Sequence, residues 1–232
     1  MDAISAAWQL IATHDAALLA IIFLSLKVSL SAVCIAALLG APLGTALAVW
    51  NFPGQRLAVI MTTTFMALPP VVVGLGVYLL LSRAGPLGDF GLLYTPFAMI
   101  IAQTLLVLPI VTALTREAVL PLHREYQPML VSMGAGRWLT VRTLLWDARF
   151  GVVTAILAGF GRAIAEVGAV LIVGGNINGV TRVMTTTIAL ETSKGNLEIA
   201  LALGLILIGI AFVINALMHF VAVFGRRYQV VA

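Results

Sequence analysis

The chain has 232 residues, of which 62% are hydrophobic and only 9% charged, with a formal net charge of +4 and a mean hydropathy of +1.12. A soluble globular chain typically carries about 25% charged residues, so this composition excludes one and indicates an all-α polytopic membrane protein. The +4 does not signal nucleic-acid binding, because the basic residues follow the loops between apolar runs.

The N-terminal stretch MDAISAAWQLIATHDAA has no basic residue ahead of its apolar run and does not read as a cleaved signal peptide. Residues 1–19 are expected to form an external segment, 20–225 the transmembrane domain, and 226–232 a cytoplasmic tail. A bilayer-crossing helix needs about 20 apolar residues. Five runs qualify: Ala20–Trp50, Leu57–Leu81, Pro96–Leu114, Gly151–Gly174 and Ile199–Phe224. In the first, Lys27 is expected to snorkel at an interface and Pro42 to kink the helix. Cys34 reads as a small core residue. In the second, Pro69-Pro70 cannot continue a helix ladder. Non-helical backbone at membrane depth is tolerated where protein or a water-filled cavity covers it, so the break either lines a solute path or serves packing. The loop Ser82–Thr95 is short and punctuated by Gly and Pro.

Arg116–Phe150 is the long polar interval of the chain, with five Arg (116, 124, 137, 142, 149) and three acids (Glu117, Glu125, Asp147). Tyr126, Met129, Leu130 and Met133 recur at helical spacing before Gly134-Ala135-Gly136, and Trp138, Val141, Arg142 and Leu145 after it. This pattern predicts helix, Gly turn, helix: either a docking element or an amphipathic loop on the lipid surface. In the fourth run, Arg162 and Glu166 stand four residues apart, where they can pair on one helix face. They form either a structural ion pair or part of an anion path. Gly174-Gly175-Asn176 reads as a helix C-cap, and Thr185–Thr192 as a short helix with a mixed polar surface. Arg56, the five loop Arg, Arg226 and Arg227 fall on one side of the membrane, against Arg83, Arg182 and Lys194 on the other. Basic residues mark the cytoplasmic side, which predicts N-terminus outside and C-terminus inside.

There is no GxxxxGK[ST] run, and the three His (14, 123, 219) lack metal-ligand spacing. No catalytic residue, metal site or cofactor is expected on this chain. The rival reading from these features is an ion-coupled secondary transporter or a structural membrane subunit.

Gly134, with Ala135 and Trp138, resembles the coupling loop of type I ABC importer permeases. Pro128-Met129-Leu130 stands where that family has Glu-Ala-Ala, and Trp146-Asp147 where it has Leu-Pro. Arg162-Ala163, Glu166-Val167-Gly168-Ala169, Gly175-Asn176-Ile177, Gly179-Val180-Thr181 and Thr187–Glu191 resemble the molybdate, tungstate and sulfate branch, with most similarity to tungstate-uptake permeases. The resemblance implies a homodimeric permease in the inner membrane of a prokaryote, with an ABC ATPase that binds the ATP and an external substrate-binding protein. It implies ATPase coupling at Glu125, Gly134, Ala135, Arg137 and Trp138. A translocation path or bundle ion pair would involve Pro69, Pro70, Arg162 and Glu166. An outer gate or binding-protein surface would involve Gly175, Asn176, Thr181, Arg182 and Glu191. The implied cargo is tungstate, with molybdate or sulfate as the alternative.

Overall fold

A computed structural model describes residues 16–229, with side chains described to residue 223. All regular elements among the described residues are helical. They are α1 (Ala16–Val49), α2 (Gln55–Met66), α3 (Pro70–Leu81), a 3-10 turn (Gly88–Phe90), α4 (Pro96–Ser132), α5 (Arg137–Asp147), α6 (Arg149–Ile164), α7 (Gly168–Gly174), α8 (Met184–Lys194) and α9 (Leu197–Gln229). Most of the expected external segment 1–19, and the side chains of Arg226 and Arg227, lie outside the described residues.

Three helices, α1, α4 and α9, are each long and apolar enough to cross a membrane. The number reaches five when α2–α3 and α5–α6 each count as one interrupted span. Five was also the number of apolar runs, but the fourth is divided differently. Gly151–Gly174 is not one span: α6 ends at Ile164 and α7 begins at Gly168, while α5 and α6 form a pair bent by 73°.

The chain divides into two compact units. One comprises the described part of Met1–Ala32 with Pro69–Thr104 and Gly161–Val213. Here α3 packs on α7. A Cβ at Gly74 would come within 2.8 Å of the Ala169 Cα, so glycine is what permits this approach. Small residues at such crossings let backbones come close where no water drives association. Pro70 opens α3 at its first turn, where its missing N–H costs nothing, and the expected break in the ladder falls at Ala67–Pro69. Buried polar side chains tie this unit together across long sequence distances. The Met184 amide donates to Ser25 Oγ (2.8 Å), and Gln103 Nε2 donates to the Ala163 carbonyl (3.1 Å).

The other unit comprises Val33–Leu68, Leu105–Phe160 and the described part of Ile214–Ala232. Its core joins Ala48, Val119, Leu144 and Ala148, with Tyr126 and Val152 packed against them. The third apolar run ends at Leu114, but its helix does not: α4 runs unbroken through Pro109, Pro121 and Pro128 to Ser132, and the helical pattern that begins at Tyr126 lies in its last turns. An interior proline costs roughly 3 kcal/mol or more. What offsets it is a stripe at every fourth residue, Val107, Val111, Thr115 and Val119, all fully buried. Pro42 likewise does not end α1. Cys34 is exposed on α1, not in the core, because its neighbours Ala32, Val33 and Ala36 take the buried face.

Candidate functional site

The polar interval folds as the end of α4, a tight turn and α5. Gly134 has φ +65°. Its amide donates to the Val131 carbonyl (3.0 Å), and the Ala135 amide to the Leu130 carbonyl (2.9 Å). These two bonds are the Schellman pattern that closes a helix on a left-handed residue. The chain reverses and α5 starts at Arg137 after Gly136, which supplies no capping side chain. Gly134, Arg137 and Trp138 are exposed and Ala135 is half-buried; Glu125 is exposed on the last turns of α4. The turn is therefore a protruding edge held by a buried base, Leu130 on one side and Val141 and Leu144 on the other. Along α5, Trp138, Arg142 and Trp146 recur every four residues. The Arg149 guanidinium stacks over Trp146 (5.4 Å) and Phe150 (4.9 Å), with Nη1 donating to the Trp146 carbonyl. These side chains border an open groove of about 790 Å³ that also reaches Pro42 and Val153.

Arg162 and Glu166 do meet, with Arg162 Nη1 donating to Glu166 Oε2 at 2.6 Å. They do not pair within one helix, as the spacing suggested. Arg162 sits in the last turn of α6, and Glu166 lies in the break before α7. The second carboxylate oxygen accepts the Ala169 amide (3.1 Å), satisfying a first-turn donor of α7. The Glu166 carbonyl accepts from Thr185 Oγ1 (2.7 Å), and the Glu166 amide donates to the Ala163 carbonyl (3.2 Å). Glu166 is thus fixed on both sides and only 3% exposed, while the Arg162 side chain is 36% exposed. The pair presents its positive end outward and keeps its negative end inside. Pro69 and Pro70 stand at the start of α3 in the same unit.

After α7 the chain caps on Gly175 (φ +69°) and continues through Asn176 (φ +51°). Tyr94, also left-handed at φ +61°, donates its amide to the Val173 carbonyl (3.0 Å), and its ring meets Tyr78 edge-on at 6.5 Å. Thr181 is fully buried: its hydroxyl donates to the Gly174 carbonyl and accepts the Ile177 amide. Glu191, on α8 as expected for Thr185–Thr192, is buried and bonded to Asn196 Nδ2 (2.7 Å) and Lys194 Nζ (2.9 Å). The Asn196 bond first, then Lys194, holds its carboxyl below the usual range. Arg182 and Glu191 both line a cavity of about 290 Å³ with Asn178, Thr187 and Leu203. Thr181 and Glu191 are buried and make their bonds to the chain itself, Asn176 and Arg182 are half-buried, and of these five residues Gly175 alone is exposed.

Gln103 and Thr185, which hold the break at Glu166, and Ser25, which holds the start of α8, had no sequence signal. Each bonds a residue far away in the chain. Trp50 and His123 were equally silent. No group of three or more His, Cys, Asp or Glu able to hold a metal occurs among the described residues.

Residues 40–223 match the model of a family described as binding-protein-dependent transport system inner membrane component. The tungstate uptake system permease protein TupB of Peptoclostridium acidaminophilum is 44% identical over 92% of this chain and 94% of its own. A probable anion ABC transporter permease of Haloferax volcanii is 43% identical over 86% and 88%. The TupB protein of Campylobacter jejuni is 39% identical over 73% and 71%.

Proposed function

Because the chain belongs to the binding-protein-dependent transport inner membrane components, a family of ABC importer permeases, we propose that it forms the membrane path for tungstate in an ATP-driven importer. The chain is a transport subunit that catalyses no covalent step. The cargo reading rests on near full-length similarity to permeases named for tungstate uptake. In this reading two copies form the path, a separate ABC ATPase binds the ATP and docks on the turn at Gly134, and an external protein delivers the oxyanion. The N-terminus is outside and the C-terminus in the cytoplasm, so the Arg-rich interval faces the ATPase.

The turn suits that role because it protrudes from a buried base, so force applied at Gly134 reaches α4 and α5 without loss in a floppy loop. Near α7, the outward guanidinium of Arg162 offers attraction to a dianion. Glu166, bonded to it, limits how tightly an anion is held there.

The test is tungstate accumulation by cells with and without this chain, with molybdate and sulfate as competitors. Tungstate uptake lost on deletion and resistant to excess sulfate supports the reading. Loss of sulfate uptake alone refutes the cargo. An ion-coupled secondary transporter would keep accumulating tungstate after the ATPase is inactivated. Against that rival stands Glu166, whose two oxygens are committed to Arg162 and the Ala169 amide.

A further inference from the structure

The groove along α5 lies where that helix leaves the line of α6. Between Arg149 and Arg162, α6 carries no charged residue. Its sixteen residues rise about 24 Å, most of a bilayer's apolar core. The α5–α6 pair bends by 73°, so with α6 crossing the membrane α5 runs nearly parallel to its surface. The groove occupies that elbow. Leu139, Leu145, Val152 and Val153 line it, and Pro42 borders it from α1. Pro42 stands seven residues before the end of α1 at Val49, about 10 Å along the helix. The groove therefore reaches from the membrane surface to the depth of the acyl chains.

This surface also has a charge. Arg142 and Arg149 line it and no acid does; Asp147, the acid of α5, does not border it. Arg142 is exposed, and its side chain bonds to no other described residue. Arg149 is oriented by its bond to the Trp146 carbonyl (3.0 Å) and by the rings of Trp146 and Phe150, which leaves further guanidinium N–H groups for a ligand. Trp146 is 70% exposed, an unfavourable position in water and a preferred one among lipid headgroups. The apolar floor, the tryptophan at the rim and the two guanidinium groups match one molecule, a phospholipid with an anionic headgroup. A soluble anion would leave the floor uncovered, and a zwitterionic lipid would bring its own cation towards the two Arg.

We propose that this elbow binds one anionic phospholipid, with an acyl chain along Leu139, Leu145, Val152 and Val153 and its phosphate at Arg142 and Arg149. The lipid braces α5 against α6, and the Gly134 turn rides on the other end of α5. The site is independent of the cargo.

For the test, the purified permease–ATPase complex is placed in phosphatidylcholine vesicles, and brominated phosphatidylglycerol or brominated phosphatidylcholine is titrated in. Bromine quenches indole fluorescence only near contact, and the difference between the unsubstituted complex and Trp146→Phe isolates the Trp146 signal. Phosphatidylglycerol should quench that signal at a mole fraction several-fold below phosphatidylcholine. Arg142→Gln should raise the phosphatidylglycerol fraction needed about fivefold, the effect of one guanidinium at an anionic surface, and leave the phosphatidylcholine curve in place. Equal quenching by the two lipids, or an unchanged phosphatidylglycerol curve in Arg142→Gln, overturns the proposal and leaves only unselective lipid at the protein's edge. Absence of quenching by either lipid also overturns it and puts the ATPase or a second copy over the groove. If Trp146→Phe does not assemble, phosphatidylglycerol carried by the complex in native mass spectra decides: retention by Arg142→Gln equal to that of the unsubstituted chain overturns the proposal, and reduced retention supports it.

Discussion

Replacing Gly134 separates backbone geometry from space at the turn. A Cβ built there meets nothing within 4 Å, so within this chain the cost of a side chain is conformational and not steric. An L-residue in the left-handed region costs roughly 1–2 kcal/mol, which lowers the native turn's population about 5- to 30-fold relative to competing conformations. A β-branched residue is worse placed there, and asparagine better. The two Schellman bonds, from the Gly134 and Ala135 amides, are what a refolded turn would lose. Variants Gly134→Asn, Gly134→Ala and Gly134→Val are made in the full complex, and uptake, ATPase co-purification and membrane insertion are measured on each. The expected order of tungstate uptake puts Gly134→Asn closest to native, then Gly134→Ala, then Gly134→Val. The valine variant should insert normally, because no core contact changes, yet transport poorly. Native uptake by Gly134→Val refutes the coupling role. Equal inactivity of all three would mean that space at the docked surface decides, and the conformational argument would be wrong.

For the ion pair, Glu166→Ala should lower the melting temperature in detergent more than Arg162→Ala. Glu166→Ala removes the Ala169 cap as well as the pair, and the double variant should fall short of the sum by a measurable coupling. Strictly additive losses would show the pair is not made. Gly74→Leu should cost about 1–3 kcal/mol by overpacking α3 against α7, read as a lower melting temperature, whereas a native melting temperature would deny that contact. Reporter fusions after Arg137 and after Lys194 should report cytoplasmic and external positions respectively, following the basic-residue bias. A cytoplasmic signal at Lys194 overturns the orientation.

Local chemistry made some elements legible in the sequence. Pro69-Pro70 announces a broken ladder because the ring itself forbids continuation. Gly134 and Gly175 announce helix ends because their neighbours need a left-handed residue. The end of α6 at Ile164 was not legible. Arg-Ala-Ile-Ala-Glu contains no helix breaker, and the spacing of Arg162 and Glu166 suits a continuous helix. The break is held instead by Gln103 on the Ala163 carbonyl and Thr185 on the Glu166 carbonyl, partners that no local pattern names. The converse holds in α4. Pro121 and Pro128 look like stops, but the helix continues past them with Leu122 and Tyr126 packed on the core at Val119 and Leu130 buried. The turn could be located from its glycine, whereas a pocket behind it joins Trp50 with residues of α4 and α5, which no local pattern names.

The packing of α3 on α7 makes two interrupted helices into one packed layer. Each of these short helices follows an interruption in the backbone ladder, at Ala67–Pro69 and at Ala165–Val167, and each approaches the other through Gly74, Ala169, Val71 and Gly168. Neither glycine has a spare ångström: a Cβ at Gly74 would meet the Ala169 Cα and a Cβ at Gly168 the Val71 side chain. A side chain added on either helix therefore has to displace the other one, and two segments about a hundred residues apart in the chain tolerate substitution only as a pair.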